Sequence, residues 1–394
     1  MSSEILQAVA GYRDAMVDLT RELVAIPTEN PPGNRYRDAI ELLCRRLSEL
    51  GFNDTRVEGD CVLSFSGVGA RTLYFSGHYD VVPAQSPAQF EPAVKGANLF
   101  GRGSSDMKSG LAAMIYAARG LQDCGAPLDG RIGLVFVPDE ETAGPRGSRY
   151  LAERGLLGQN AIGMLTPEPT GGVVWNANRG AITLRVTVKG KSAHVGRQHE
   201  GVNAFDQMLE VARALTALKA EVERRSTAFH IAPEAVRRSI LMLGGRTEGG
   251  TNFNVVPDRC SFTVDRRINP EEDFDQEKER LFGVLERARD GGIDLEVETL
   301  QEGRSSGVTE DDPLAQALAR SIATVTGRAP QFEMCPGLLE IRFYAERGIP
   351  AFAYGPGLLT VSHGPNEFVP IDRIEHCAQA YALTAADLLG QCAE

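Results

Sequence analysis

The run Arg131-Ile132-Gly133-Leu134-Val135-Phe136-Val137, followed at once by Pro138-Asp139-Glu140-Glu141, decides how this chain is read. A short apolar run rich in branched and aromatic side chains, stopped by proline, reads as a strand buried on both faces. The acids then sit just past its end. Outward from it, strands at 62–65, 72–76 and 161–165 alternate with helices at 110–121 and 146–153. Such βαβ alternation predicts an α/β fold, a mostly parallel mixed sheet flanked by helices. Upstream, Leu6, Val9, Met16, Leu19, Leu23 and Ile26 keep helical spacing, so one helix is expected over 4–26 and a second over 37–50. The first stops at Pro27 and the Asn30-Pro31-Pro32-Gly33 turn.

From Arg179 the texture changes. Residues 181–189 alternate apolar and polar, as a half-exposed strand does. A helix at 202–218, strands at 239–243 and 259–268, a helix at 271–289 and a strand at 294–300 follow. That order, β-α-β-β-α-β, is the ferredoxin-like α+β sandwich, here inserted over 179–300. Beyond it α/β alternation resumes with helices at 313–326 and 341–347, a strand at 351–354 and a helix at 373–389. The first domain is thus split between 1–178 and 301–394.

At 394 residues the chain exceeds the roughly 250 to 300 at which a single core stops growing, in keeping with two domains. A net charge of −12 argues against a nucleic-acid partner, which needs clustered Lys and Arg. Cys44, Cys61, Cys124, Cys260, Cys335, Cys377 and Cys392 are scattered and form no Cys-x-x-Cys pair, so neither a disulfide framework nor a thiolate site is expected. The N-terminus lacks a basic and apolar leader pattern, and no apolar run approaches the ~20 residues of a membrane span. A cytoplasmic enzyme with no membrane partner is the expectation.

Candidate chemistry lies past the strand ends, where open α/β sheets bind ligands. His78 in Ser76-Gly77-His78-Tyr79-Asp80 follows a strand, with Asp80 placed to bond the far ring nitrogen. Asp106 sits in a glycine-rich turn running into a helix, Glu140 and Glu141 end a buried strand, Glu168 lies between two prolines, and His363 follows the strand at 351–354. Two imidazoles and three carboxylates suit zinc, cobalt or manganese, and one bridging carboxylate gives each of two metals three protein ligands. Water held between two such metals would ionise near neutral pH and attack a carbonyl. No Gly-x-Ser-x-Gly elbow supports a nucleophilic serine.

Five stretches together resemble the M20 family of metallopeptidases, which includes acetylornithine deacetylase, succinyl-diaminopimelate desuccinylase, aminoacylase and glutamate carboxypeptidase. They are Gly77-His78-Tyr79-Asp80-Val81-Val82-Pro83, Gly101-Arg102-Gly103-Ser104-Ser105-Asp106-Met107-Lys108-Ser109-Gly110, Asp139-Glu140-Glu141, Glu168-Pro169-Thr170 and His363-Gly364-Pro365-Asn366-Glu367. The resemblance spans essentially the whole chain. It implies a zinc-exopeptidase-like fold and two divalent metals, zinc foremost, one held by His78 and Glu168, the other by Glu141 and His363, with Asp106 bridging. It also implies Glu140 as general base, Asp80 as the residue orienting His78, and the 179–300 insertion as a lid through which a homodimer forms. His194 would stabilise the oxyanion across that dimer, and Asn254 and Arg267 would meet a substrate carboxylate.

One departure bears on substrate. Where acetylornithine deacetylase and its close relatives carry Gly-Gly-Thr-Asp-Ala-Arg, this chain reads Gly337-Leu338-Leu339-Glu340-Ile341-Arg342. Leu338 and Leu339 beside a pocket that Arg342 also lines would favour an apolar or aromatic substrate by roughly 1 to 3 kcal/mol per group with a matching surface. This argues against acetylornithine and succinyl-diaminopimelate. The expected reaction is hydrolysis of an amide-type C–N bond in a small carboxylate-bearing molecule, as in N-acyl amino acid deacylation. Alternatives are deamination of an aromatic amine, dipeptidase or carboxypeptidase action, or a binding protein without catalysis.

Overall fold

The computed structural model describes residues 1–390, so Cys392 lies outside the described residues. The chain divides into two compact units: Met1–Asn176 with Val308–Glu333 and Glu340–Glu394, and Ala177–Gly307 with Met334–Leu339.

The first unit is built on a mixed sheet in the order Asp54–Glu58, Cys61–Val68, Gly130–Val137, Thr72–His78, Ala161–Thr166, Ala351–Ala353, Val174–Asn178. Its central strands Gly130–Val137, Thr72–His78, Ala161–Thr166 and Ala351–Ala353 are mutually parallel. Register aligns their exits, with His78 opposite Val137 and Thr166 opposite Ala353. Neighbouring residues on one strand point to opposite faces, and here each face finds a helix. Phe75 meets Tyr381 of helix Ile371–Leu389 with ring centres 4.8 Å apart, while Tyr74 meets Tyr344 of helix Ile341–Ala345 at 6.1 Å. Helix Ser109–Asp123 is buried on nearly every side, which is why its sequence is apolar all round.

At the N-terminus the expected single helix is two, Ser2–Ala10 and Arg13–Val24. The break falls at Gly11 and Tyr12, whose φ −101° and ψ 9° leave the helical region while its ring packs 5.0 Å from Tyr116. The helical spacing survives because Ile5 and Val9 before the break and Met16, Leu19 and Leu23 after it enter one core.

The second unit is a four-stranded antiparallel sheet in the order Ile240–Gly249, Arg259–Ile268, Gly180–Lys189, Leu295–Gly303, with helices Ala204–Val222 and Phe274–Asp290. Ile182, Leu184, Val186 and Val188 point inward at period two and join Leu215 and Leu281 of the helices. The second helix starts at Phe274 rather than 271, because the Asp273 side chain caps it by accepting the Gln276 N–H at 2.9 Å. Met334–Leu339 belongs to this unit although it lies within 301–394: Met334 N–H donates to the His230 carbonyl, and Gly337 accepts from Arg179 N–H at 3.1 Å.

Close backbone approach in the first unit requires glycine at 355. A Cβ there would lie 2.2 Å from the Pro167 carbonyl oxygen and 2.3 Å from that of Glu168. Gly355→Ala should therefore cost about 1 to 3 kcal/mol of stability, read from the urea midpoint. A midpoint unchanged from wild type would contradict this packing.

Candidate metal centre

The parallel strands share one exit edge, and the candidate groups gather there. His78 ends Thr72–His78, Glu140 and Glu141 follow Gly130–Val137, Glu168 follows Ala161–Thr166, and His363 lies in the loop after Ala351–Ala353. Asp106 is carried by the turn Ser104–Lys108 that leads into helix Ser109–Asp123.

Ligand atoms of His78, Asp106 and Glu168 lie within 4.8 Å of one another, and so do those of Asp106, Glu141 and His363. Asp106 is the shared member: Oδ1 is 3.3 Å from His78 Nε2, and Oδ2 is 3.3 Å from His363 Nε2. Glu141 Oε2 stands 3.2 Å from His363 Nε2, and Glu140 Oε2 stands 3.8 Å from His78 Nε2. His78 Nε2, Asp106 Oδ1, Glu141 Oε1 and Glu168 Oε1 are buried without a hydrogen-bond partner. Buried polar atoms are ordinarily paired, so atoms converging without partners mark a place made for a cation. The donor set fits a pair of divalent ions sharing Asp106.

Electrostatics lead to the same point. Burial pushes Glu168 up to about 8, assisted by the Asp106 charge, and burial raises Glu140 well above the carboxylate range. Glu141 is raised by burial too, partly offset by His363. Burial would also raise Asp106, but the imidazoles of His363 and His78 beside it outweigh that and hold it low. His363 is drawn up to about 10 by Asp106 and Glu141. Acids that crowd and destabilise one another's charge are relieved by a bound cation.

A further layer of residues fixes these groups. His78 Nδ1 lies 3.0 Å from the Asp80 carbonyl oxygen and 3.4 Å from its carboxylate, so Nδ1 carries the proton and Nε2 turns its lone pair inward. The nearer acceptor is main chain, where the sequence pointed to the carboxylate. That carboxylate instead accepts the N–H groups of Glu140 and Glu141, each at 3.3 Å, and the Asn30 amide at 2.9 Å. Asp139 adopts φ +65°, the left-handed turn that swings the two glutamates off the strand. Its side chain is held by Tyr36 Oη at 3.0 Å and by Arg146 N–H at 3.1 Å.

Glu340 and Arg342, 7% and 3% exposed, belong to this unit. Ser148 Oγ bonds Glu340, and the Arg342 guanidinium stacks 4.2 Å from the Phe343 ring centre. The remaining sequence-derived residues lie in the second unit. His194 is exposed and its Nδ1 accepts the Gly196 N–H at 3.1 Å, leaving an Nε2–H free to donate. His194 and Asn254 sit on adjoining segments, bridged by His194 against Val255 and by Val195 N–H to Asn254 O at 2.9 Å. Arg267 pairs with Asp265 at 2.9 Å, Leu338 is half-buried and Leu339 buried.

Asn30, Tyr36, Arg102 and Glu367 hold the site yet were given no role from sequence. Their partners stand 50 to 265 residues away, and no local pattern encodes such bonds.

Comparison with known proteins accords with this geometry. Residues 74–387 match the model of peptidase family M20/M25/M40. A succinyl-diaminopimelate desuccinylase of Nitrosomonas eutropha is 28% identical over 365 residues, covering 89% of this chain and 93% of its own length. Among solved structures, the M20 metallo-carboxypeptidase Sso-CP2 of Sulfolobus solfataricus superposes with a TM-score of 0.79 at 18% identity, covering 95% of this chain and 99% of that one. The Bacillus subtilis YXEP protein, described as a dinuclear metal binding peptidase of the M20 family, reaches 0.68 at 17% identity, with 96% and 99% covered.

Removing the Asp80 carboxylate frees the backbone of both glutamates and takes away a charge 3.4 Å from the His78 ring, although the main-chain acceptor of Nδ1 stays. Asp80→Ala should weaken zinc binding roughly 10- to 100-fold in a chelator competition. Wild-type affinity in this variant would refute the role of Asp80.

Proposed function

We infer that this chain, which belongs to peptidase family M20/M25/M40, is a metal-dependent hydrolase of an amide-type C–N bond in a small N-acyl amino acid-like substrate. The observation that carries the reading is the pair of three-residue clusters sharing Asp106, with Glu140 beside them. His78, Glu168 and Asp106 would hold one divalent ion, and Glu141, His363 and Asp106 the other, with zinc the expected metal. When bound, the ions supply Lewis acidity toward the scissile carbonyl and make nearby water more acidic.

Glu140 would take the proton from the attacking water and hand it to the departing amine. Burial, which favours its neutral form, suits it to hold a proton between those two steps. Asp80 would keep Glu140 on station through its backbone N–H. His194, with its Nε2–H outward, would donate to the developing oxyanion, and Asn254 and Arg267 would meet the substrate carboxylate. As a homodimer, one copy would lend His194 to the other's site.

Relatives named desuccinylase make succinyl-diaminopimelate a natural candidate, whereas Leu338 and Leu339 favour a more apolar acyl or aromatic group. A cytoplasmic location stays part of the proposal; among the described residues no helix is long and apolar enough to cross a membrane.

Glu140→Gln should keep the metal content of the wild type and lose ~10² to 10⁴ in kcat. Substantial remaining turnover would remove Glu140 from the chemistry. A panel of succinyl-diaminopimelate, acetylornithine, N-acyl aromatic amino acids and aminobenzoates should show preference for the aromatic N-acyl compounds. Preference for either of the first two would end the argument from the leucines.

A further inference from the structure

We propose that the buried ion pair of Arg102 and Glu367, together with Gln85, is a positioning device that sets His363 against Asp106 and so tunes one of the two cation positions; this rests on the metal reading above. Arg102 opens the turn that leads to Asp106, and Glu367 closes the loop that carries His363. Both side chains are 1% exposed. The small sheet of Ala93–Lys95, Asn98–Phe100 and Phe368–Pro370 brings these two loops side by side.

Glu367 Oε1 accepts the backbone N–H groups of Gly103, Ser105 and Asp106, each at 3.0 Å, so one oxygen gathers the turn that presents the shared carboxylate. Its other oxygen takes the Arg102 guanidinium. A second guanidinium nitrogen of Arg102 donates to the His363 carbonyl at 3.2 Å and to Gln85 Oε1 at 3.0 Å. The Gln85 amide in turn donates to the same His363 carbonyl at 3.1 Å. A continuous hydrogen-bonded path thus joins the Asp106 N–H to the His363 C=O through three side chains outside both ligand clusters.

His363 needs such an anchor. It adopts φ +63°, a conformation that non-glycine residues seldom hold, and its side chain is 49% exposed. The planar fork of arginine can meet a carboxylate and a carbonyl at once, whereas an ammonium at the end of a flexible stem cannot hold both in the same geometry. Arg102→Lys therefore keeps the charge opposite Glu367 and loses the grip on His363. Because His363 belongs to one cluster only, the effect should be one-sided. A pair that served only to stabilise the fold would affect both positions alike.

The test is a cobalt(II) titration of the chelator-stripped full chain, followed by calorimetry and visible absorption, for wild type, Arg102→Lys and Gln85→Ala. Wild type should take two ions per chain; fewer than two overturns the metal reading itself, and the inference falls with it. Given two, Arg102→Lys should bind one ion as wild type does and the other roughly 10- to 100-fold more weakly, with Gln85→Ala moving the same ion by a smaller factor. Equal weakening of both ions, or of neither, overturns the positioning role. Should Arg102→Lys fail to fold, Gln85→Ala decides alone, because Gln85 is exposed; an unchanged weaker-site affinity in that variant contradicts the proposal.

Discussion

Everything at the exit edge of the sheet depends on one carboxylate facing two imidazoles. Asp106 is 8% exposed and offers an oxygen to each of His78 and His363 at 3.3 Å. An acid this deeply buried is ordinarily driven toward its neutral form, and here the imidazoles on either side hold it low against that. The same oxygens, with Glu168 on one side and Glu141 on the other, define two places for a cation and a short distance between them. A single side chain thus belongs to both clusters.

The rest of the first unit serves to keep that carboxylate and its neighbours still. The parallel strands bring the loops to a common edge, and register puts His78 level with Val137 and Thr166 level with Ala353. Asp80 then spans three of the groups, bonding the two glutamate N–H groups and lying beside the His78 ring. Gly355 lets the Pro167–Glu168 backbone come within reach of the neighbouring loop.

Much of this was legible in the sequence because local chemistry announces itself. The helix Pro313–Thr326 begins after Asp312, whose side chain caps it, and stops at Gly327 in the left-handed conformation, signals that survive any tertiary context. The strand before Glu140 was marked by its uniform apolar run and its proline stop. The residues gathered around Asp106 were found because each follows a strand, and strand ends in an α/β sheet converge. What stayed hidden has a common cause. The break at Gly11 and Tyr12 left the apolar spacing intact, so periodicity saw one helix where packing against Tyr116 made two. Glu367 reads as one more acid in a loop, and only the fold shows it bonding three N–H groups and Arg102. Met334–Leu339 joins the second unit through backbone bonds to His230 and Arg179 that no composition or period encodes.

We infer that Asp106 is the common ligand of two cations at the sheet edge. Anomalous diffraction at the zinc absorption edge from zinc-loaded crystals tests it most directly. Two peaks should flank the Asp106 carboxylate, one beside His78 and Glu168 and the other beside Glu141 and His363. A single peak, or peaks that leave Asp106 uncoordinated, would contradict it.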